Sequence, residues 1–210
     1  MSFADIYSLP KDPKLIGFTG YGGAGKDEAA GPLIAHGYTR RCFGDLIKVQ
    51  CNDLIKKHLG FSAFTEDRKQ KHVIRPILET WGETNYDNIS EEFYRDLPEY
   101  CVNTRISRVP EIVKWRERGG IIVAVDRPGL VPQTTWEEQI VSMQLAHEVV
   151  SLIIVNDSTV EKLHELILGL FFFEDQKHGW KEISGDRPWI VRSSGGLQSL
   201  RQLDRTPRTL

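Results

Sequence analysis

Gly20-Tyr21-Gly22-Gly23-Ala24-Gly25-Lys26-Asp27 is the stretch of this chain whose residue types and spacing point most directly to chemistry. Gly20, Gly22, Gly23 and Gly25 lack a Cβ, so successive backbone N–H groups can turn inward and surround an anion. Leu15 to Phe18 ahead of them reads as a buried strand, and the residues from Lys26 to about 36 read as a helix. A helix start adds its partial positive charge to such a loop. Lys26 then reaches the β- and γ-phosphates of a nucleotide as a mobile point charge. Gly20, Gly25 and Lys26 have the G-x-x-x-x-G-K spacing of a phosphate-binding loop, in the strand–loop–helix setting that the loop requires. One position departs from the common pattern. Asp27 stands where most such loops carry the Ser or Thr that holds Mg²⁺, and Glu28 follows it.

Binding phosphate does not identify a reaction, so the ends of the other expected strands carry the next weight. They offer Asp45 and Lys48 after the second strand, Arg105 and Arg108 after the third, and Arg127 after the fourth. Arg75 lies near the start of a helix that follows the charged stretch Thr65 to Lys71. Arginines in this number suit a site that neutralises two sets of phosphates, a donor's and an acceptor's, which is what phosphoryl transfer asks of a protein. Arg75, Arg108 and Lys48 also read as solvated helix residues, and Arg127 as a turn residue.

The elements that must position these residues alternate between extended and helical. Strands are expected at Leu15–Phe18, Thr39–Phe43, Cys101–Asn103, Ile121–Val125 and Leu152–Val155. Helices are expected at 45–59, over Val73 to Trp81, from Glu91 to Leu97 behind an Asn88–Glu91 capping box, and from Pro110 to Arg118 before Gly119-Gly120. Two more follow Thr135–Glu138 and Ser158–Glu161, each pair having capping-box spacing. Apolar strands separated by helices predict a mostly parallel sheet covered on both faces, an α/β fold of the P-loop NTPase type with three α/β/α layers. The domain is expected over 14–168, after an N-terminal tail at 1–13. A small C-terminal extension at 169–210 would hold a hairpin within 180–192 and an Arg-containing flexible tail at 193–210.

At 210 residues, 40% hydrophobic and 27% charged, the chain has the composition of a globular domain with a small extension. A net charge of −2 gives no general reason to expect nucleic acid or an anionic membrane as partner. Cys42, Cys51 and Cys101 have neither metal-site spacing nor an even count, which fits a reducing cytoplasm; Cys42 and Cys101 fall inside expected strands. The first 13 residues hold no apolar stretch of the signal-peptide kind, and the run Leu166 to Phe173 is too short to span a bilayer.

The chain resembles bacteriophage deoxynucleoside monophosphate kinases, within the wider P-loop nucleoside monophosphate kinase group. The resemblance rests on an ordered set of pieces between residues 14 and 168. These are Gly20–Asp27 with its G-K-D ending, Phe43-Gly44-Asp45-Leu46-Ile47-Lys48, Arg75-Pro-Ile-Leu-Glu-Thr-Trp-Gly82, and Val102-Asn-Thr-Arg105 with Pro110-Glu111. Val125-Asp-Arg-Pro-Gly129 and Ile154-Val-Asn-Asp157 complete it. The resemblance implies that Gly20, Tyr21, Gly22, Gly23, Ala24, Gly25 and Lys26, with Asp27 and Glu28 behind them, hold ATP. Asp27 would stand near Mg²⁺ or its waters. Arg75 and Arg105 would clamp the acceptor's 5′-phosphate or the transferring group, while Arg127 and Glu138 would lie around the nucleotides. Asp45, Lys48 and Arg108 complete the expected acceptor side. The implied partners are small-molecule nucleotides, with a homodimer allowed for, in the host cytoplasm if the gene is a phage's. Two departures stand out: Glu28 replaces the Ser or Thr that follows G-K-D in the family, and Asn103 stands where an Asp is common. Two other readings stay open, a P-loop kinase acting on a hydroxymethylated pyrimidine within DNA and a nucleotide-binding protein without turnover.

Overall fold

The computed structural model describes residues 13–132, 150–172 and 189–193, and every statement below concerns these. In chain order they form β1 (Leu15–Thr19), α1 (Lys26–Ala35), β2 (Thr39–Arg41), α2 (Phe43–Leu59), α3 (Arg68–Thr84), α4 (Tyr86–Arg95), β3 (Cys101–Asn103), α5 (Val109–Glu117), β4 (Ile121–Asp126), β5 (Leu152–Val155), α6 (Val160–Phe171) and β6 (Trp189–Arg192). They divide into two compact units. Residues up to Arg40 and from Glu99 onward form a sheet unit, and Arg41–Pro98 form a helical unit.

The sheet has the order β2-β3-β1-β4-β5-β6. Its pairings β1·β3, β1·β4, β4·β5 and β5·β6 are all parallel. Alternation along the strands sorts their side chains by face. Ile16 and Phe18, Val123 and Val125, and Leu152 and Ile154 pack with Ala29, Ala30 and Leu33 of α1 and Leu163, Leu166 and Ile167 of α6. Each such fully buried Ile, Leu or Phe side chain contributes on the order of 1.5–3 kcal/mol. The opposite face carries α5. A Cβ on Gly17 would lie 2.2 Å from Ile106 Cδ1 and 3.0 Å from Trp115 Nε1, so any other residue there would make Ile106 shift. Helices on both faces of a parallel sheet, with a glycine loop joining β1 to α1, make the three-layer α/β/α arrangement of the P-loop type.

The helical unit is held by a smaller core of Cys51, Ile55, Ala63 and Ile74, with Ile47, Phe61 and Leu78 packed against it. Asn52 Oδ1 accepts hydrogen bonds from Ser62 Oγ (3.0 Å) and Ala63 N (3.1 Å), which fixes the turn between α2 and α3. Asp67 caps α3 by accepting from Gln70 N at 2.9 Å.

Four local expectations are corrected. The strand expected over Thr39–Phe43 ends at Arg41, because Phe43 opens α2 and is buried against Tyr86 and Phe93. Cys42 is accordingly the half-buried residue before a helix, not a strand residue. The helix expected from Glu91 starts at Tyr86, which puts Asn88 inside it and removes the Asn88–Glu91 capping box; burying Ile89 and Phe93 on one face decides its extent. The cap of α6 is Thr159, whose side chain accepts from Lys162 N, one residue beyond Ser158. Trp189–Arg192 joins the main sheet parallel to β5. The first half of the hairpin expected within 180–192, residues 180–183, and the helix expected after Thr135 lie outside the described residues. Among the described residues, no helix is long and apolar enough to cross a membrane.

Glu111, in the first turn of α5, is 2% exposed, and burial pushes its carboxyl up from 4.5 to about 7. The folded protein therefore holds this proton over a pH range in which the unfolded chain has released it. Stability from this group is fully present below about pH 4.5 and is lost as pH rises through about 7. Across that window the loss is on the order of 3 kcal/mol. Urea denaturation at pH 5 and pH 8 is expected to show this slope in the wild type and a flatter one in Glu111→Gln. An equal slope in both proteins would assign the pH dependence to other groups.

Candidate functional site

Parallel pairing puts the carboxyl ends of β3, β1, β4 and β5 side by side along one edge of the sheet. The segments leaving that edge, in spatial order, are the Arg105 loop, the glycine loop, the Arg127 turn and Asn156. Three of the four were expected from sequence. The fourth was missed.

The glycine loop is set by contacts that exclude side chains. Gly20 has φ 131°, and a Cβ there would lie 2.2 Å from the carbonyl oxygen of Val125 on β4. Gly25 caps α1 in the left-handed region at φ 99°, where a Cβ would come within 2.6 Å of Asn156 Nδ2. Between them Ala24 is fully buried, and its N–H donates to Tyr21 O at 3.1 Å. Ala29 N donates to Gly25 O at 2.8 Å, which starts the helix immediately behind the loop. Lys26 folds back across this backbone, with its Nζ donating to Gly20 O at 2.8 Å and Tyr21 O at 2.7 Å. A cationic group is thus already held at the loop by two weak carbonyl partners, for which phosphate oxygens are stronger ones.

Asn156 fixes the loop from beneath. It directly follows β5, is 7% exposed, and donates from Nδ2 to Ala24 O at 2.8 Å. Its own N–H donates to Asp126 O at 2.7 Å, tying β5 to the end of β4. Next to it, Asp157 N donates to Ser193 Oγ at 3.0 Å, and that hydroxyl donates back to Asp157 Oδ1 at 3.2 Å. Ser193 is fully buried. The residue expected to begin a flexible tail is therefore an anchor for the segment that supports the phosphate loop. The signal for Asn156 was present, since it stands directly after an expected strand, where ligand-facing residues of open α/β sheets are found.

The remaining expected residues are placed as follows. Asp27 and Glu28 lie in the first turn of α1, both exposed. Asp27 Oδ1 meets Arg40 Nη2 at 3.3 Å. Arg105 is exposed in the loop after β3, and its N–H donates to Asn103 Oδ1 at 3.0 Å. Asn103, only 1% exposed, thus shapes the loop as an acceptor, a use that an amide serves as well as a carboxylate. Arg108 is half-buried at the start of α5. Arg127 is exposed at the head of a turn that Leu130 N closes on its carbonyl at 3.2 Å. Asp45, Lys48 and Arg75 belong to the helical unit, where Lys48 Nζ pairs with Asp45 Oδ1 at 3.1 Å and Arg75 is exposed on α3. Glu138 lies outside the described residues.

For a divalent cation the donor set is small. Among the described residues no group of three or more His, Cys, Asp or Glu side chains could hold a metal by itself. Asp27 offers a single exposed carboxylate beside the loop. That suits Mg²⁺ held mainly by phosphates and water with one carboxylate, and does not suit a cage made by the protein alone.

No protein-family model matches the chain. It is 24% identical over 185 residues to a protein of Acanthamoeba polyphaga mimivirus named a putative deoxynucleotide monophosphate kinase, covering 73% of this chain and 94% of the relative. A solved dephospho-CoA kinase from Campylobacter jejuni overlaps 75% of this chain and 95% of its own at 8% identity, with a TM-score of 0.42, too loose a match to speak for activity.

Asn156→Ala leaves Ala24 O without its partner and opens space beneath Gly25. The expected cost is about 1–3 kcal/mol of stability, with weaker ATP binding by calorimetry. Wild-type ATP affinity in the folded variant would show that the loop holds its shape unaided. A chain ending at Ser193 is expected to melt within a few degrees of the full-length protein. One ending at Arg192 should melt distinctly lower, and equal melting of the two would deny Ser193 its anchoring role.

Proposed function

We propose that this chain transfers the γ-phosphate of ATP to the 5′-phosphate of a deoxynucleoside monophosphate, producing ADP and the deoxynucleoside diphosphate used in DNA synthesis. The observation that carries the reading is one edge of one sheet, where a Gly20–Lys26 phosphate loop stands beside a loop bearing Arg105 and Arg108. Two anionic groups bound at neighbouring loops are what a transfer between two phosphates needs. The name of the mimivirus relative supports the nucleotide-kinase part of this reading; it says nothing of a phage origin.

In the proposed reaction an acceptor phosphate oxygen attacks the γ-phosphorus in line, and the bond from phosphorus to the β,γ-bridging oxygen breaks. Charge gathers on the transferring oxygens and on the leaving β-phosphate. Lys26 is assigned to the donor side, where it would exchange its carbonyl partners Gly20 O and Tyr21 O for phosphate oxygens. Arg105, with Arg108, is assigned to the acceptor phosphate, and Arg127 and Glu138 to the surroundings of the nucleotides. Arg75, Asp45 and Lys48 of the helical unit are assigned to the acceptor from their positions in the sequence and from the resemblance. Mg²⁺ would supply further neutralisation of the ATP phosphates, with Asp27 as the carboxylate nearest to it; release of Asp27 from Arg40 would accompany this.

ATP consumption measured with each of the four deoxynucleoside monophosphates, beside a duplex containing hydroxymethylated pyrimidine, tests the reading. Turnover with at least one mononucleotide is expected, and turnover with the duplex alone would replace the proposed acceptor. Lys26→Ala should lower kcat by roughly 10²–10³-fold with the melting temperature nearly unchanged. Arg105→Ala and Arg75→Ala should raise the acceptor KM, lower kcat, or both, and leave ATP affinity little altered. Loss of ATP binding in both arginine variants would refute this division into donor and acceptor sides.

A further inference from the structure

The loop that carries Arg105 is held at four successive backbone N–H groups. Arg105 N donates to Asn103 Oδ1 at 3.0 Å, and Ile106 N donates to Phe18 O on β1 at 2.9 Å. Ser107 N and Arg108 N both donate to one oxygen of Glu111, Oε2, at 2.7 and 3.3 Å. The Ile106 side chain, 1% exposed, fills the space that the missing Cβ of Gly17 leaves on β1. A segment with no regular structure is thus fixed along its length, and the exposed side chain it presents between these ties is Arg105.

Glu111 is the costly part of this arrangement. A carboxylate at 2% exposure is among the least favourable groups to bury, and an amide oxygen could accept from these N–H groups at a lower desolvation cost. What the carboxylate adds is a strong acceptor for two adjacent N–H groups, with the charges of Arg108 and Arg105 close enough to act on it. We propose that Glu111 is a positioning residue, which holds the Thr104–Arg108 loop so that Arg105 and Arg108 meet the acceptor phosphate in a preset geometry. The inference rests on the reading of these arginines as the acceptor side of a kinase. Its physical basis is that a guanidinium carried on a backbone fixed before the ligand arrives needs less reorganisation when charge develops.

The test separates acceptor from donor. Glu111→Ala is expected to lower kcat/KM for the acceptor mononucleotide at least tenfold and to leave the KM for ATP within about twofold, since the phosphate loop keeps its own supports. Glu111→Gln keeps an oxygen in reach of both N–H groups and should recover part of the acceptor kinetics, less than the stronger carboxylate acceptor gives. Should Glu111→Ala not yield folded protein, Glu111→Asp, one methylene shorter, carries the same expectation in weaker form. A folded Glu111→Ala or Glu111→Asp with wild-type acceptor kinetics would overturn the proposal. So would equal losses toward ATP and acceptor, which mark a general structural role.

Failure of the kinase reading itself is seen separately, as a wild-type protein without turnover on any mononucleotide. In that event calorimetry with inorganic phosphate decides the loop. Binding that is lost in Arg105→Ala and weakened in Glu111→Ala keeps Glu111 as the residue that positions an anion site. Absence of binding to the wild type overturns both.

Discussion

The glycine loop works only because two backbones meet where no side chain fits. Gly20 lies against the Val125 carbonyl and Gly25 against the Asn156 amide, so the loop rests directly on the carboxyl ends of β4 and β5. That approach sets where α1 begins and hence where its N-terminal dipole points. It also explains the order of the sheet. β1 must lie between β3 and β4 for the loop to touch β4 on one side and stand beside the Arg105 loop on the other. Side chains at the site are adjustable within this frame, whereas the frame itself tolerates no added atom at Gly20.

The sheet was readable because its strands are apolar on both faces and short, and because Gly and Pro mark their ends. Ile121–Val125 and Leu152–Val155 needed no tertiary information to be recognised, and the loop from Gly20 announced its own chemistry. What escaped were properties that spacing does not encode. Phe43 reads as a strand residue until Tyr86 and Phe93 supply aromatic partners that favour it at the head of α2. Asn88 reads as a helix cap until burial of Ile89 and Phe93 extends α4 toward the N-terminus. Asn156 and Ser193 act across 132 and 36 residues of sequence, and nothing local marks an asparagine as support for a distant loop.

The same distinction separates two kinds of charge at the site edge. Lys26 and Arg105 carry long charged side chains on fixed backbones, and their energetic value depends on that fixity. An arginine on a loose loop would spend much of its interaction energy on ordering the loop, at about 1–2 kcal/mol per residue restrained. Here the backbone from Arg105 to Arg108 is restrained already by Asn103, Phe18 and Glu111. The departure at Asn103 from a more common aspartate fits this arrangement, because its role toward Arg105 N requires an acceptor oxygen and no charge.

Asp27 and Glu28 mark the other departure, and the geometry gives it a consistent electrostatic meaning. Acidic residues in the first turn of a helix are favoured by its dipole, yet they oppose an incoming polyphosphate. Arg40 answers part of that opposition by pairing with Asp27 at 3.3 Å, although both groups are well exposed and the pair alone is worth little. In the proposed reaction Asp27 would exchange Arg40 for the cation that accompanies the nucleotide, and Lys26 would exchange two carbonyls for anionic oxygens. Each exchange would replace a weak partner by a strong one. With an acid at position 27, nucleotide and cation binding at this loop would then depend on each other, because the carboxylate opposes the phosphates until the cation offsets it.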